Sequence, residues 1–380
     1  MHVSAHRWRQ GAWDVAPDGA VSGPRTLVLI FAASGFWENR SVLDEIRSTF
    51  ADSVVLGCST AGEILGPTIE DDTVTVAVAQ FDDTDLRPAS TVMPGIADSF
   101  EAGASIARQL RGDDLRAVLL LSTGLDVNGS ELVRGINSGL PADVLVAGGL
   151  AGDGPHFRQT WALDHDGPGE RLVAAVGFYG TRVRVGHGAR GGWSIFGPER
   201  RVTRSEGSTL YELDGAPALA LYKDYLGELA SGLPATALRF PLALRESGDS
   251  DKHLVRTILA VDEEQQSMTF AGDLPQGWMA QLMRANFDEL VAGAEDAAEV
   301  AGADVTRDGL AIAISCVGRR LMLGEAAEEE VEATLERLPE GSTQVGFYSY
   351  GELAPFASGA CDLHNQTMTL LVIGEDSRDA

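Results

Sequence analysis

Apolar residues recur along this chain in two rhythms. Unbroken runs at Leu27–Ala32, Ala117–Leu121 and Leu310–Ile314 have the length and composition of buried strands. Each run is followed by a polar tripeptide or tetrapeptide and then by a segment whose apolar residues fall three or four apart. They are Val42, Leu43, Ile46 and Phe50 in the first, Leu132, Val133, Ile136 and Leu140 in the second, and Val331, Leu335 and Leu338 in the third. That spacing lays one apolar stripe along a helix. A second short strand closes each unit, at Val54–Gly57, Val144–Ala147 and Thr343–Phe347. The pattern therefore predicts three β-α-β units.

The three units also end alike, in a glycine followed by an acid: Gly62-Glu63, Gly152-Asp153 and Gly351-Glu352. From the polar residue after the first strand to that glycine, the distances are 28 (Ser34 to Gly62), 29 (Thr123 to Gly152) and 35 positions (Cys316 to Gly351). Common order, length and ending point to a diverged internal repeat.

Other runs read as antiparallel strands. Thr73–Phe81 alternates and precedes Ala89–Met93, and Leu172–Tyr179 is separated from Arg182–His187 by a glycine-centred turn. Val255–Val261 pairs naturally with Ser267–Ala271. Strand–helix–strand units interrupted in this way give an α/β chain of the mixed α+β kind: repeated β-α-β units with antiparallel meanders, mixed sheets and two domains. The stretch from Gly277 to about Gly302, with Met283, Phe287, Leu290, Val291 and Ala294 at helical spacing, predicts one long helix. The polar stretch Arg200–Gly207 suggests the boundary, giving domains at 20–204 and 205–375.

Charge narrows the function classes. The 380 residues include 29 basic and 56 acidic side chains, a net charge of −27, which argues against binding nucleic acid or anionic lipid. No apolar run approaches the length of about 18 residues needed to span a membrane, and the amino terminus lacks the apolar core of a signal peptide. Three cysteines, Cys58, Cys316 and Cys361, are too few and too odd for a disulfide framework. The expectation is a soluble, cytoplasmic protein.

No P-loop, Gly-x-Ser-x-Gly or His-Glu-x-x-His motif is present. Gly57-Cys-Ser-Thr-Ala-Gly62 has the glycines of a phosphate cradle, but it lacks the lysine and Glu63 would repel a phosphate. Cys58, flanked by Ser59 and Thr60 at a strand end, reads either as a nucleophile or as a small buried hydrophobe, the latter being favoured. Cys361-x-x-His364 offers two ligands where a structural zinc needs four, so no metal site is expected. A haem without covalent attachment could take His364, His187, His253, Cys316 or Tyr350 as its axial ligand. Arg319-Arg320 can fork a carboxylate or phosphate, or else neutralise Glu325 and Glu352. Alternation along Phe347–Tyr350 would place Tyr348 and Tyr350 on one side.

A family resemblance appears at these residues. Gly-Cys-Ser-Thr-Ala-Gly-Glu-Ile (57–64), Gly-Gly-Leu-Ala-Gly-Asp-Gly (148–154) and Gly-Gly-Trp-Ser-Ile-Phe-Gly-Pro (191–198) resemble the FIST N domain. Glu-Leu-Asp-Gly-Ala-Pro-Ala-Leu (212–219), Phe-Ala-Gly-Asp-Leu-Pro-Gln-Gly (270–277) and Ser-Cys-Val-Gly-Arg-Arg-Leu-Met-Leu-Gly (315–324) resemble the FIST C domain, as do 346–355 and 363–370. The resemblance implies a sensory protein of signal transduction that binds a small ligand such as an amino acid and signals to a separate partner. It allows one alternative, a haem-binding nitric oxide sensor regulating a histidine kinase or a cyclic-di-GMP enzyme. An enzyme using Cys58 or Glu63 and Glu352 is the rival from another class. The expected ligand pocket is lined by Cys58, Ser59, Thr60, Glu63, Cys316, Arg319, Tyr348, Tyr350, Glu352 and His364. No cofactor is assigned from the residues, haem being the one that the resemblance allows.

Overall fold

A computed structural model describes residues 1–246, 253–305, 307–356 and 359–376. The three apolar runs are strands, Thr26–Ala33, Leu115–Ser122 and Leu310–Cys316, and nearly every residue in them is buried. Each pairs in parallel with the strand that follows its helix, respectively Val54–Thr60, Leu145–Leu150 and Thr343–Ser349. On its other side each pairs antiparallel with Val74–Gln80, Leu172–Tyr179 or Met368–Glu375. A fourth strand, His2–Arg9, Asp85–Val92 or Val183–Arg190, lies antiparallel beyond that. The architecture is mixed α+β, with mixed sheets that repeat the same strand order three times.

The inner faces of the three sheets share one core. Leu27, Leu29 and Phe31 meet Leu119, Leu121, Ile312, Ile314 and Phe347 there, and the rings of Phe31 and Phe347 are 4.8 Å apart. The helices cover the outer faces, Leu43 and Ile46 in the first unit, Leu132 and Ile136 in the second, and Val331 in the third. Strands buried on both faces read as continuous apolar runs, which is why the repeat was visible in the sequence.

After the Gly-acid ending each unit forms a short hairpin, and none of the three joins its own sheet. The hairpin Glu63–Leu65 with Thr68–Glu70 extends the third sheet alongside Thr343–Ser349. Gly351–Pro355 with Cys361–His364 extends the second sheet, alongside Leu145–Leu150. Ala162–Asp164 with Gly167–Gly169 extends the first, alongside Val54–Thr60. The exchange is cyclic and closed. Where the loops cross, three backbone bonds follow the same cycle: Ala61 N donates to Tyr348 O (2.8 Å), Tyr350 N to Leu150 O (3.0 Å) and Gly152 N to Ser59 O (3.0 Å).

Two of the glycines show why this ending recurs. Gly62 has φ +130°, and a Cβ there would strike the Arg320 guanidinium at 2.4 Å. A Cβ on Gly152 would come within 2.9 Å of the Ala61 amide. Only glycine meets both demands, of torsion in one loop and of close backbone approach in the other.

The antiparallel strands are present, but neighbours in sequence go to different sheets. Val74–Gln80 is in the first sheet and Asp85–Val92 in the second; Leu172–Tyr179 is in the second and Val183–Arg190 in the third. The connection at Asp82–Thr84 therefore crosses between sheets, held by Glu375, whose carboxylate accepts the amides of Asp82, Asp83 and Thr84. The third unit is interrupted by a module at 194–284, with its own sheet, the helix Ala218–Leu226 and a core around Val202, Tyr222 and Phe270.

Three local expectations are corrected. The long helix begins at Phe287 rather than Gly277: Asn286 Oδ1 accepts the Glu289 amide and Glu289 accepts the Asn286 amide, a reciprocal cap. Residues Met279–Arg284 are a strand, and Met283 packs against Ala243 and Val255. The run Val255–Val261 breaks at Thr257, and only Ile258–Asp262 pairs with Ser267–Phe270. The polar stretch after Arg200 lies in a continuous strand, Ser194–Glu206.

Candidate functional site

Glu63 and Glu352 occupy matching places. Each lies just past its glycine and is buried with three donors arranged alike. Glu63 accepts from Thr60 Oγ1 three residues back and from both the amide and hydroxyl of Thr73, at 3.0 and 2.8 Å. Glu352 accepts from Ser349 Oγ three residues back at 2.8 Å and from the amide and hydroxyl of Thr367 at 3.1 and 2.9 Å. Thr73 and Thr367 each immediately precede the returning antiparallel strand, so each carboxyl ties a crossing loop to the start of that strand. Burial raises both carboxyls to about 7 against the lowering effect of these bonds.

The second unit solves the same problem differently. Asp153 is one methylene shorter and takes amides from Phe157, Arg158 and Gln159, and the Tyr350 hydroxyl. Burial pushes Asp153 up, but the bonds from Tyr350 and the three amides outweigh it and hold the carboxyl below its usual range.

Most of the other anticipated site residues serve this interior. Cys58 is fully buried in the central core; burial and then the Glu63 charge push its thiol well above the ordinary range, so it stays protonated. Ser59 Oγ accepts the Trp161 amide at 3.0 Å. Arg319 does fork a carboxylate, that of Glu330 (Nε 2.9 Å, Nη2 2.6 Å), and not Glu325 or Glu352. Its remaining donors bond the carbonyls of Gly191 and Leu290 at 2.5 and 2.8 Å. Tyr348 donates to Glu330 as well, at 2.9 Å. Tyr348 and Tyr350 part company because the strand ends at Ser349; the Tyr350 hydroxyl bonds Asp153 and the Gly154 carbonyl, and its ring stacks on Phe157. His364 is buried, with Nε2 3.0 Å from the Ala354 carbonyl and its ring stacked on Phe356.

A cavity of about 440 Å³ opens beside this interior, between the second unit, the third unit and the module. Of the ten anticipated residues, it is lined by Cys316 and Tyr350. Its walls are largely aliphatic and aromatic: Leu125, Val127 and Leu150 from the second unit, Val317 and Leu321 from the third, and Leu238, Ile258 and Phe270 from the module. Five polar residues join them, Asn128, Ser208, Thr257, Asp273 and Asn365. Asn128 caps the helix Gly129–Gly139 through Glu131 N at 3.0 Å and reaches Asp273 Oδ1 with Nδ2 at 3.2 Å. Ser130 Oγ accepts the Asp273 amide at 3.3 Å, so two residues of the second unit grip the module at one point. Behind Gly272, Arg256 bonds the carbonyls of Asp273, Val255 and Leu363; burial lowers it to about 10, partly opposed by Asp273 and Asp362.

A family model for the FIST N domain matches residues 26–216, and one for the FIST C domain matches 218–355. The chain belongs to the FIST family. FIST domains are sensory domains of signal transduction. No curated protein matches this chain. In this FIST protein the boundary between the two matches falls at the start of the helix Ala218–Leu226, inside the module, while hairpins cross from each part into the sheets of the other.

These five polar cavity residues were not singled out from sequence. Asp273 and Asn365 lie within motifs that carry the resemblance, and Asn128 precedes a helix as a capping residue does, but nothing local marks Thr257. Haem finds poor accommodation in the cavity. Among the described residues its lining contains no histidine, and no lysine or arginine to meet the propionates; the Tyr350 hydroxyl is committed to Asp153, and burial and then the Glu352 charge push the Cys316 thiol up, which keeps it protonated. Among the described residues, no cluster of histidine, cysteine and acid side chains could hold a metal ion, and no helix is long and apolar enough to cross a membrane.

Proposed function

We propose that this protein senses a small organic molecule in the cavity and reports it to a separate signalling partner. The observation that carries this reading is the position of the cavity: a largely apolar chamber with a few polar groups, shared among two repeat units and an inserted module. Its size falls within the usual range of roughly 300–1,000 Å³ for ligand sites. A ligand in contact with all three bodies has different contacts when the module is docked and when it is not, which is the differential affinity that a sensor needs. The Asn128–Asp273 bond and the Arg256 bond to the Leu363 carbonyl are the points where ligand occupancy would be felt. Native mass spectrometry of the purified chain, followed by calorimetric titration of whatever is released, tests the reading. A stoichiometric ligand whose binding is lost when Val127 is enlarged to Trp supports it; a ligand unaffected by that change places sensing elsewhere.

A further inference from the structure

Three of the cavity's polar residues lie together, and each offers an acceptor. The Thr257 carbonyl accepts the Ala271 amide at 2.9 Å, the Thr257 amide approaches Asn365 Oδ1 at 3.4 Å, and Arg256 spans from the Asp273 carbonyl to that of Leu363. Thr257, Asn365 and Asp273 thus form one polar pole in a largely apolar chamber. Thr257 is 4% exposed, and among the described residues its hydroxyl has no hydrogen-bond partner. Asn365 uses Nδ2 on the His364 carbonyl, which leaves Oδ1 with only the long contact from Thr257. Among the described residues, Asp273 carries the one formal charge in the lining, and no lysine, arginine or histidine lines the cavity. The nearby Arg256 directs its bonds to backbone carbonyls beneath the loop.

The Thr257 hydroxyl can accept or donate, whereas Asn365 Oδ1 and the Asp273 carboxylate only accept, so the set as a whole favours a ligand that donates. A carboxylate brought here would face the Asp273 charge, while the one nearby guanidinium, Arg256, lies beneath the loop with its bonds spent on the carbonyls of Asp273, Val255 and Leu363. Taking the cavity as the sensory site, we propose that its ligand is an apolar molecule whose polar head donates hydrogen bonds, an amine or a hydroxyl, and bears no carboxylate. The apolar walls take the body and the Thr257–Asn365–Asp273 pole takes the head. This differs from the free amino acid that the resemblance alone implies.

Four probes sharing one apolar body separate the possibilities: 2-phenylethylamine, 2-phenylethanol, phenylacetate and L-phenylalanine, each titrated calorimetrically into the full chain. The expected order places amine and alcohol at least tenfold tighter than the two carboxylates. Thr257→Val should weaken the amine and the alcohol several-fold, while Thr257→Ser retains both. Asp273→Asn should weaken the amine more than the alcohol. Thermal melts confirm that each variant is folded, and Val127→Trp, which fills the cavity, reports whether binding occurs there. If the carboxylates bind as tightly as the amine and Val127→Trp abolishes them, the cavity stands as the site and the proposed ligand class falls. If binding is indifferent to Val127→Trp, or none of the four binds, the proposal fails; in the first of these cases the sensory reading of the cavity fails with it.

Discussion

Arg319 and Glu330 form a fully buried ion pair that also anchors Tyr348 and the carbonyls of Gly191 and Leu290. A guanidinium so enclosed holds the third unit together, which makes Arg319→Ala a stability experiment. Removing one partner leaves the Glu330 charge buried and uncompensated, with an expected loss of about 3–5 kcal/mol in denaturant unfolding. Glu63 and Glu352 make a second residue-scale prediction. Burial raises both carboxyls from 4.5 to about 7, so the folded chain holds protons there that the unfolded chain has released. Their contribution to stability is full below about pH 4.5 and is lost as pH rises through 7, on the order of 3 kcal/mol each. Urea midpoints measured from pH 5 to 8 should fall with pH in the wild type, and Glu63→Gln with Glu352→Gln should flatten that slope. An unchanged slope would mean that the two carboxyls titrate normally.

At the scale of elements, the crossing loops carry the architecture. Each of the three hairpins completes a sheet begun by another unit, so a loop that cannot make its turn disturbs two sheets at once. Gly62→Ala would force a side chain into a left-handed torsion and against Arg320, for which a cost of about 1–3 kcal/mol is expected in thermal or chemical unfolding. Gly66, also at positive φ but with open space around its Cβ, should tolerate alanine at a smaller cost. Equal losses at both positions would show that torsion alone, and not the Arg320 contact, sets the demand. The Asn286–Glu289 cap illustrates a different element-scale lesson. The apolar periodicity from Met283 to Phe287 looks helical, yet Met279–Arg284 is drawn into the module's sheet between Leu242–Arg245 and Ser194–Glu206. Pairing partners from elsewhere in the chain overrode a local rhythm.

For the whole molecule, the cavity makes the module's attachment the quantity to follow. A bound ligand that touches both sides should slow amide exchange in the helix Gly129–Gly139 and in Ile258–Asp262 together, although these are joined only through tertiary contacts. Hydrogen exchange with and without ligand measures this; protection confined to one side would argue against coupling through the module. The sequence by itself determined the three β-α-β units, their buried strands, the Gly-acid endings and the FIST membership, because apolar runs and glycine constraints are local and leave a readable pattern. Of the ten residues it put forward for a ligand pocket, Cys316 and Tyr350 line the cavity. Tertiary structure alone decided that the hairpins trade sheets in a cycle, since strand pairing depends on which edges meet and not on the composition of either strand. It decided, too, that Glu63, Arg319 and Glu352 face inward to partners within the chain, while Thr257, Asp273 and Asn365, more than 15 and 90 positions apart in sequence, come together in one cavity. Charge and hydroxyl groups have many possible partners, and only the packed fold determines which of them are met from within and which remain open to a ligand.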